Sequence, residues 1–180
     1  MATFGERLIG AARLDPATYE EVEADTDATG QALVVVLLSS VAGGAALPRF
    51  GVLSPGSLIV GAAGALVGWV AWAALTYLIG TRLLPEPETR SNIGELLRTL
   101  GFAASPGLLQ VFAVIPGVGR LIFLVIQVWM LATMVVAVRQ ALDYRSTARA
   151  VGVCVIGWVL SLVIALIIAG AFSRTVLSSL

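Results

Sequence analysis

The sequence predicts an all-α membrane protein with five transmembrane helices, preceded by a short amphipathic helix and an acidic helix. Two observations support this fold class. First, 58% of the 180 residues are hydrophobic and only 12% are charged, whereas soluble domains contain about 45–50% apolar and about 25% charged residues. Second, long apolar segments recur and are separated by short stretches rich in proline, glycine and arginine. Such a chain requires a lipid bilayer as its solvent.

Residues 1–27 are predicted to form a cytoplasmic N-terminal segment with two short helices. The first helix, within Met1–Arg13, suits the lipid headgroup layer because its apolar side chains share one face and Arg7 lies off it. Those apolar side chains are Phe4, Leu8 and Ile9. Asp15 and Pro16 predict the start of the second helix, since aspartate caps free N–H groups and proline suits the first turn.

An acidic run follows in the second helix. It contains Glu20, Glu21, Glu23, Asp25 and Asp27. We interpret it as a solvated helix face that leads into the membrane, with metal binding or partner docking as the alternatives. The run lacks the spacing of a calcium-binding loop, which argues against a metal site.

Residues 28–180 are predicted to form the five-helix transmembrane domain. A helix needs about 20 apolar residues to cross roughly 30 Å of hydrocarbon. Prolines in the connecting segments end the helices because proline has no backbone N–H to donate. The expected spans are residues 28–47, 57–84, 99–115, 119–139 and 150–172.

Two proline–glycine pairs are predicted to be hinges around the third span. Pro106 and Gly107 interrupt its apolar sequence, so we expect a short or kinked span whose freed backbone groups are covered by neighbouring helices. Pro116 and Gly117 begin the sequence Pro-Gly-Val-Gly, which predicts a tight reversal into the fourth span.

The distribution of arginine predicts the orientation in the membrane. With five spans and a cytoplasmic N-terminus, the cytoplasmic side carries eight arginines and the other side three. This asymmetry is what the positive-inside rule requires. We therefore expect a multi-pass protein of the bacterial cytoplasmic membrane, with the N-terminus in the cytoplasm and the C-terminus outside. The eight are Arg7, Arg13, Arg82, Arg90, Arg98, Arg139, Arg145 and Arg149.

Small residues at helical spacing mark two candidate packing faces. Gly64 and Gly68 form a G-x-x-x-G pattern in the second span, and Gly157, Ser161 and Ala165 recur at intervals of four in the fifth. Helices in lipid associate where small residues let their backbones approach closely. These faces therefore predict helix packing within the chain, or a surface for oligomerisation or for docking on a larger membrane complex.

Three polar side chains lie within the predicted spans: Gln110, Gln127 and Thr133. We interpret them as interhelical hydrogen-bonding groups, and together with Ser161 as candidate acceptors for the indole N–H groups of Trp129 and Trp158. A polar pathway is the alternative. Transporters usually carry an ionisable side chain at the centre of a span, and none of the predicted spans has one.

The sequence lacks the residues that most catalytic and metal sites need. It contains no histidine and a single cysteine, Cys154, so imidazole ligation and an internal disulfide are excluded. It also lacks the common hydrolase and metalloprotease motifs. We predict no enzymatic activity, no cofactor and no nucleic-acid binding. The expected partners are the lipid bilayer and other membrane subunits or a second copy of the chain.

Several short motifs occur in a specific order along the chain. They are Arg7–Ile9, Asp15–Val22 (DPATYEEV), Leu100–Leu109 (LGFAASPGLL), Ile115–Gly119 (IPGVG) and Trp129. Their order and spacing resemble those of the bacterial members of the Yip1 family, over nearly the whole chain. The resemblance implies a five-span fold without catalysis. Eukaryotic relatives are associated with Rab GTPases in secretory membranes, and we do not extend that role to this chain.

Taken together, the residues and the resemblance predict a non-enzymatic integral membrane protein. Its expected role is that of a structural or interaction protein, or an accessory subunit of a larger membrane complex. The alternative is a small transporter or channel with a polar pathway near Gln110 and Gln127, because an interrupted helix exposes backbone groups that can contact a substrate.

Overall fold

The computed structural model describes residues 2–46 and 55–178, which contain helices and no β-strand. Side-chain surroundings are described for residues 2–44, 56, 59–164 and 166–167. A π-helical turn, Ile79–Leu83, prolongs the fourth α-helix, and a 3₁₀ helix, Ser105–Val114, follows the fifth. The α-helices are α1 (Phe4–Ala12), α2 (Pro16–Ala24), α3 (Ala28–Ala46), α4 (Pro55–Leu78), α5 (Ile93–Ala103), α6 (Gly119–Ala141) and α7 (Thr147–Ser178).

Side-chain caps fix where three of these helices begin. Thr3 caps α1 and exchanges hydrogen bonds with Glu6, and Asn92 caps α5 and does the same with Glu95. Asp15 caps α2, as the sequence predicts. Each cap supplies an acceptor for N–H groups that have no partner within the helix.

Four described segments are long and apolar enough to cross a membrane. They are Ile59–Leu83, Ile93–Val114, Gly119–Ala141 and Thr147–Ile164. A further apolar helix, Ala28–Gly44, is shorter. The prediction of an all-α membrane protein is therefore confirmed for the described residues, while the count of five spans stays a prediction.

The contacts between helices define the directions of the chain. Along α3, Ala32 faces Gly101 and Gly43 faces Gln110, so α3 runs parallel to α5 and the 3₁₀ helix. Along α7, Gly152 faces Leu84 and Gly157 faces Trp72, so α7 runs antiparallel to α4. These directions are those that alternating crossings of a bilayer would produce.

The predicted hinge at Pro106 and Gly107 coincides with a change of helix type. The α-helix ends at Ala103 and the chain continues as a 3₁₀ helix. The Ser39 hydroxyl donates to the Ala104 carbonyl at 2.7 Å, and the Thr133 hydroxyl donates to the Ala103 carbonyl at 2.7 Å. The Ala104 carbonyl also accepts from the Gly107 N–H at 2.9 Å. Hydroxyl groups of neighbouring helices thus add to the backbone hydrogen bonds around the break.

The second predicted hinge forms the turn between the 3₁₀ helix and α6. Gly117 has a φ of 85°, a left-handed conformation that side chains disfavour and glycine adopts readily. Pro116 precedes it in the same turn. The reversal that the sequence predicts at this point is therefore present.

The two ends of the bundle are packed differently. The clasped end comprises α1, α2, α5 and the loops after α4 and α6, and its side chains Tyr19, Leu96 and Phe102 are fully buried. The open end comprises residues 59–68 of α4, the 3₁₀ helix, residues 119–128 of α6 and residues 158–164 of α7. Exposed apolar side chains dominate there, including Val60, Leu121 and Trp158.

Candidate functional surfaces

The glycines of α4 lie on the surface of the described chain. Gly64 and Gly68 are exposed, and a β-carbon added at either would meet no atom within 4 Å. Gly61 is equally open. The neighbouring Val60 and Val67 are 73% and 70% exposed. Packing within the described chain therefore does not account for this row of glycines, which we call the α4 glycine face.

The small residues of α7 lie in different surroundings. A β-carbon at Gly157 would stand 3.1 Å from the Trp72 ring, so this glycine allows α7 to approach α4. Ser161 is half-buried. The side chain of Ala165 lies outside the described residues. Gly157 thus contributes to packing within the chain, unlike the glycines of α4.

The intramembrane polar residues form two separate contacts. The Gln110 amide donates to the Gln127 carbonyl oxygen at 3.0 Å and to the Met130 sulfur at 3.4 Å. Gln110 is buried, whereas Gln127 is exposed. Thr133 is buried and bonds to the break after α5, as described above. Sequence reasoning named all three residues, but it could not show that only the two glutamines meet.

The two glutamines border a groove between α3, the 3₁₀ helix, α4 and α6. The groove has a volume of about 370 Å³. Ser39, Gly43, Ala65 and Phe123 contribute to its walls. None of its lining side chains is charged. We call this cavity the glutamine groove.

The prediction of a side-chain acceptor for the indole N–H of Trp129 is wrong. Its indole N–H donates to the main-chain carbonyl of Ala12 at 2.7 Å, and not to a glutamine, Thr133 or Ser161. This bond ties the end of α1 to the middle of α6. Trp158 is 67% exposed, so its indole lies on the bundle surface.

The interpretation of the acidic run as a solvated face is also wrong in part, because Arg7 is buried against it. The Arg7 guanidinium is 2% exposed and lies 3.0 Å from Glu21 and 2.7 Å from Asp25. It also donates to the Gln31 side chain at 3.0 Å. Its Nε has no hydrogen-bond partner in the described structure. We call this group the Arg7 cluster.

The electrostatics of the Arg7 cluster follow from these contacts. Burial alone would lower the pKa of Arg7, but hydrogen bonds and charges from Glu21 and Asp25 outweigh it and raise that pKa. In turn, hydrogen bonds from the Ala2 backbone and from Arg7 lower the pKa of Glu21, and the Arg7 hydrogen bond lowers the pKa of Asp25. The cluster is therefore fully charged near neutral pH.

A second polar region lies where α2 meets α5 and α6. Arg98 donates to the backbone carbonyls of Val22 and Glu23. Burial raises the pKa of Glu23 to about 7, and the negative charges of Glu95 and Asp143 add to the shift. The Glu23 carboxyl group therefore titrates near neutral pH.

Ion pairs also join the loop after α4 to the loop after α6. Arg149 lies 3.4 Å from Glu86 and donates to the Pro85 carbonyl at 2.7 Å. The Tyr144 hydroxyl lies 2.9 Å from the Gly80 carbonyl oxygen and 2.7 Å from the Leu84 carbonyl oxygen. Tyr144 therefore covers the π-helical turn. Arg145 pairs with Glu88 at the surface. These contacts close the clasped end.

No cluster of metal-ligating side chains is present within the described ranges. Cys154 is half-buried and has no disulfide partner. The chemistry that these surfaces offer is hydrogen bonding and close helix contact.

Comparison with known proteins assigns the chain to a family. The model of the Yip1 domain matches residues 14–169. This range covers most of the chain, from the residue before the Asp15 cap of α2 to the C-terminal half of α7. No curated protein sequence and no solved structure matches. The matched segment includes every motif of the resemblance except Arg7–Ile9. The chain therefore belongs to the Yip1 family of membrane proteins.

Proposed function

We propose that this protein is a non-enzymatic interaction protein of the membrane, and that it docks on another transmembrane helix through the α4 glycine face. The observation that carries the proposal is the exposure of Gly64 and Gly68, where an added β-carbon would meet no atom of another described segment within 4 Å. The docked helix belongs to a larger membrane complex in which this chain is an accessory subunit.

The energetics of a helix in lipid favour this use of the glycines. Glycine in a helix interior is less favourable than alanine by about 0.5–1 kcal/mol. Contact with lipid chains does not offset this loss of stability. Close approach of a second helix offsets it through van der Waals contact. Val60 and Val67 flank the face and would pack against the flanks of the docked helix.

We further propose that α3 completes a set of five crossings, with the N-terminus in the cytoplasm and the C-terminus outside. The parallel course of α3 and α5 supports this, since both would cross in the same direction. The arginine distribution supports the orientation. We also propose a bacterial cytoplasmic membrane as the location, on the resemblance to bacterial relatives.

Purification from native membranes in mild detergent, followed by mass analysis, tests the docking proposal. We expect the parent protein to co-purify with another membrane subunit, and the Gly64→Leu and Gly68→Leu double variant to purify without it; assembly with only a second copy of the chain would contradict the accessory role. Gly30→Leu is the matched control, because Gly30 is also exposed and a β-carbon added there would meet no atom within 4 Å, but Gly30 lies in the first turn of α3 and not on α4. A strictly monomeric parent, or an assembly that survives the double substitution, would overturn the proposal.

The glutamine groove favours a second candidate function, that of a small transporter or channel. Two amide groups in a membrane cavity can line a path for a polar solute. Flux measurements in liposomes decide this question. Flux through the parent that is lost in Gln110→Leu and Gln127→Leu supports it, and an inactive parent rules it out.

A further inference from the structure

The glutamine groove contains hydrogen-bonding groups that packing leaves unused. Gln110 lines the groove, is 6% exposed and uses its amino group on Gln127 and Met130. Its carbonyl oxygen receives no hydrogen bond from the described residues. The amino group of Gln127 likewise has no acceptor among them. A single bond between two amides always leaves one oxygen and at least one N–H free, whichever way the amides are assigned.

The other polar groups of the groove are already satisfied. The Ser39 hydroxyl donates to the Ala104 carbonyl at 2.7 Å, and the Ser40 hydroxyl donates to the Leu37 carbonyl at 2.8 Å. The two serine hydroxyls therefore have no O–H left to donate, and among the described lining side chains the unused N–H groups are those of the glutamine amides. Unsatisfied amide groups are costly at membrane depth because no water is present there to form hydrogen bonds with them.

The shape of the groove brings the amide pair against α3. A β-carbon at Gly43 would stand 2.5 Å from the Gln110 carbonyl oxygen, so glycine at this position lets the amide lie against the α3 backbone. Gln127 lies eight residues after the start of α6, which is about 12 Å along the helix axis. The amides therefore lie below the headgroup layer, where apolar chains surround the bundle.

The chemistry of the lining selects the ligand class. The groove has no charged side chain, so it offers nothing to a phosphate or an ammonium group, which would have to leave water. The free oxygen needs a donor and the free amino group needs an acceptor. An alcohol supplies both, whereas a quinone or an ester supplies acceptors alone. The apolar walls suit a hydrocarbon chain, and the volume lies within the range of small-molecule sites.

We propose that the glutamine groove binds a neutral lipid alcohol of the diacylglycerol type, with its hydroxyl on the Gln110 and Gln127 amides and a hydrocarbon chain along the groove. The ligand enters sideways from the bilayer, because Gln127 is exposed at the bundle surface. The groove touches α4 at Ala65, next to the α4 glycine face, but its binding groups are Gln110 and Gln127. Loss of lipid in Gln127→Leu and loss of assembly in the Gly64→Leu and Gly68→Leu variant therefore test the two proposals separately.

Native mass spectrometry of the full-length protein in detergent, incubated with dioleoylglycerol, tests this site. We expect dioleoylglycerol to be retained, and retention to weaken by about fivefold in Gln127→Leu, the size expected for one lost hydrogen bond. Trioleoylglycerol, which lacks the hydroxyl, is expected to be retained no better by the parent than by this variant. Gln140→Leu is the matched control, since Gln140 bonds to Glu20 at the clasped end.

A second variant separates binding from folding. Gly43→Ala keeps both amides but displaces the Gln110 oxygen, and we expect it to weaken retention while the protein remains folded by circular dichroism. Three results would overturn the proposal: no retention of dioleoylglycerol by the parent, equal retention of trioleoylglycerol, or retention unchanged in both Gln127→Leu and Gly43→Ala.

Discussion

The clasped end of this bundle contains the amphipathic α1 and the acidic α2, whereas the open end consists of apolar helices, and the interactions at the two ends differ accordingly. At the clasped end, Arg7 lies 2% exposed among carboxylates, and Trp129 and Tyr144 bond to carbonyls of distant segments. At the open end, valines and leucines are exposed, and a β-carbon added at Gly64 or Gly68 of α4 would meet no atom within 4 Å. Polar contacts therefore hold one end together, and the other end leaves surfaces for molecules outside the chain.

The clasped end should dominate the stability of the isolated protein. Arg7→Met leaves Glu21 and Asp25 without their cation, and breaking a buried ion pair from one side is strongly destabilising. We expect the thermal transition in detergent to fall by roughly 10 °C. Arg13→Met is the control, because Arg13 lies on the same helical hairpin but is exposed. Equal losses in the two variants would show that the Arg7 cluster contributes no more than a surface arginine.

The break after α5 lies between the two ends of the bundle. Loss of a hydrogen bond there should have an intermediate effect on thermal stability. Thr133→Val removes the hydroxyl that donates to the Ala103 carbonyl and leaves that carbonyl unpaired. We expect the thermal transition to fall by about 4 °C. Thr29→Val serves as the control, because the Thr29 hydroxyl bonds only to the nearby Thr26 carbonyl. A loss in Thr133→Val no greater than in the control would mean that the break is satisfied by other groups.

Sequence reasoning succeeded where a pattern is local. The Asp15 cap, the helical break at Pro106 and the turn at Gly117 each depend on residues adjacent in the chain. It failed where partners are distant: Trp129 bonds to a carbonyl 117 positions away, and no periodicity encodes that distance.

The Arg7 cluster was missed for a related reason, although one clue was present. Glu21 lies on α2 and Asp25 follows four residues later as the residue that ends the helix, so a helical pattern would place the two carboxylates on one side. Gly10 lies against Thr18, where an added β-carbon would stand 3.0 Å from the Thr18 β-carbon, and this lets α1 and α2 touch. A lone arginine on α1 opposite two carboxylates on a closely packed α2 would have predicted the cluster.

Titration separates two kinds of carboxylate within the clasped end. Below its ordinary pKa, Glu23 is protonated in both the folded and the unfolded protein, so it does not affect stability. Between that value and about pH 7 the unfolded protein releases the proton and the folded protein keeps it. Glu23 therefore lowers stability as pH rises through this window.

We expect Glu23→Gln to raise the thermal transition at pH 8 and to leave it unchanged at pH 4. Glu21→Gln is the matched comparison and should lower the thermal transition at pH 8. The pKa of Glu21 is lowered in the folded protein, so its charge stabilises the fold above its ordinary pKa. That stabilisation is lost on acidification. The same response in both variants would contradict the different surroundings assigned to these two carboxylates.

The smallest effect is expected at the open end. Gly64→Ala adds a methyl group where no atom lies within 4 Å, and alanine favours a helix interior, so the isolated monomer should gain about 2 °C. Gly101→Ala is the matched substitution at the clasped end, where the added β-carbon would stand 2.6 Å from the Ala32 β-carbon and 3.1 Å from its backbone. That variant should be destabilised because the α3 backbone cannot move aside cheaply. The difference between the thermal transitions of the two monomeric variants measures how much less the open end is packed than the clasped end. Comparable losses of stability in both variants would show that other parts of the chain already cover the α4 glycine face.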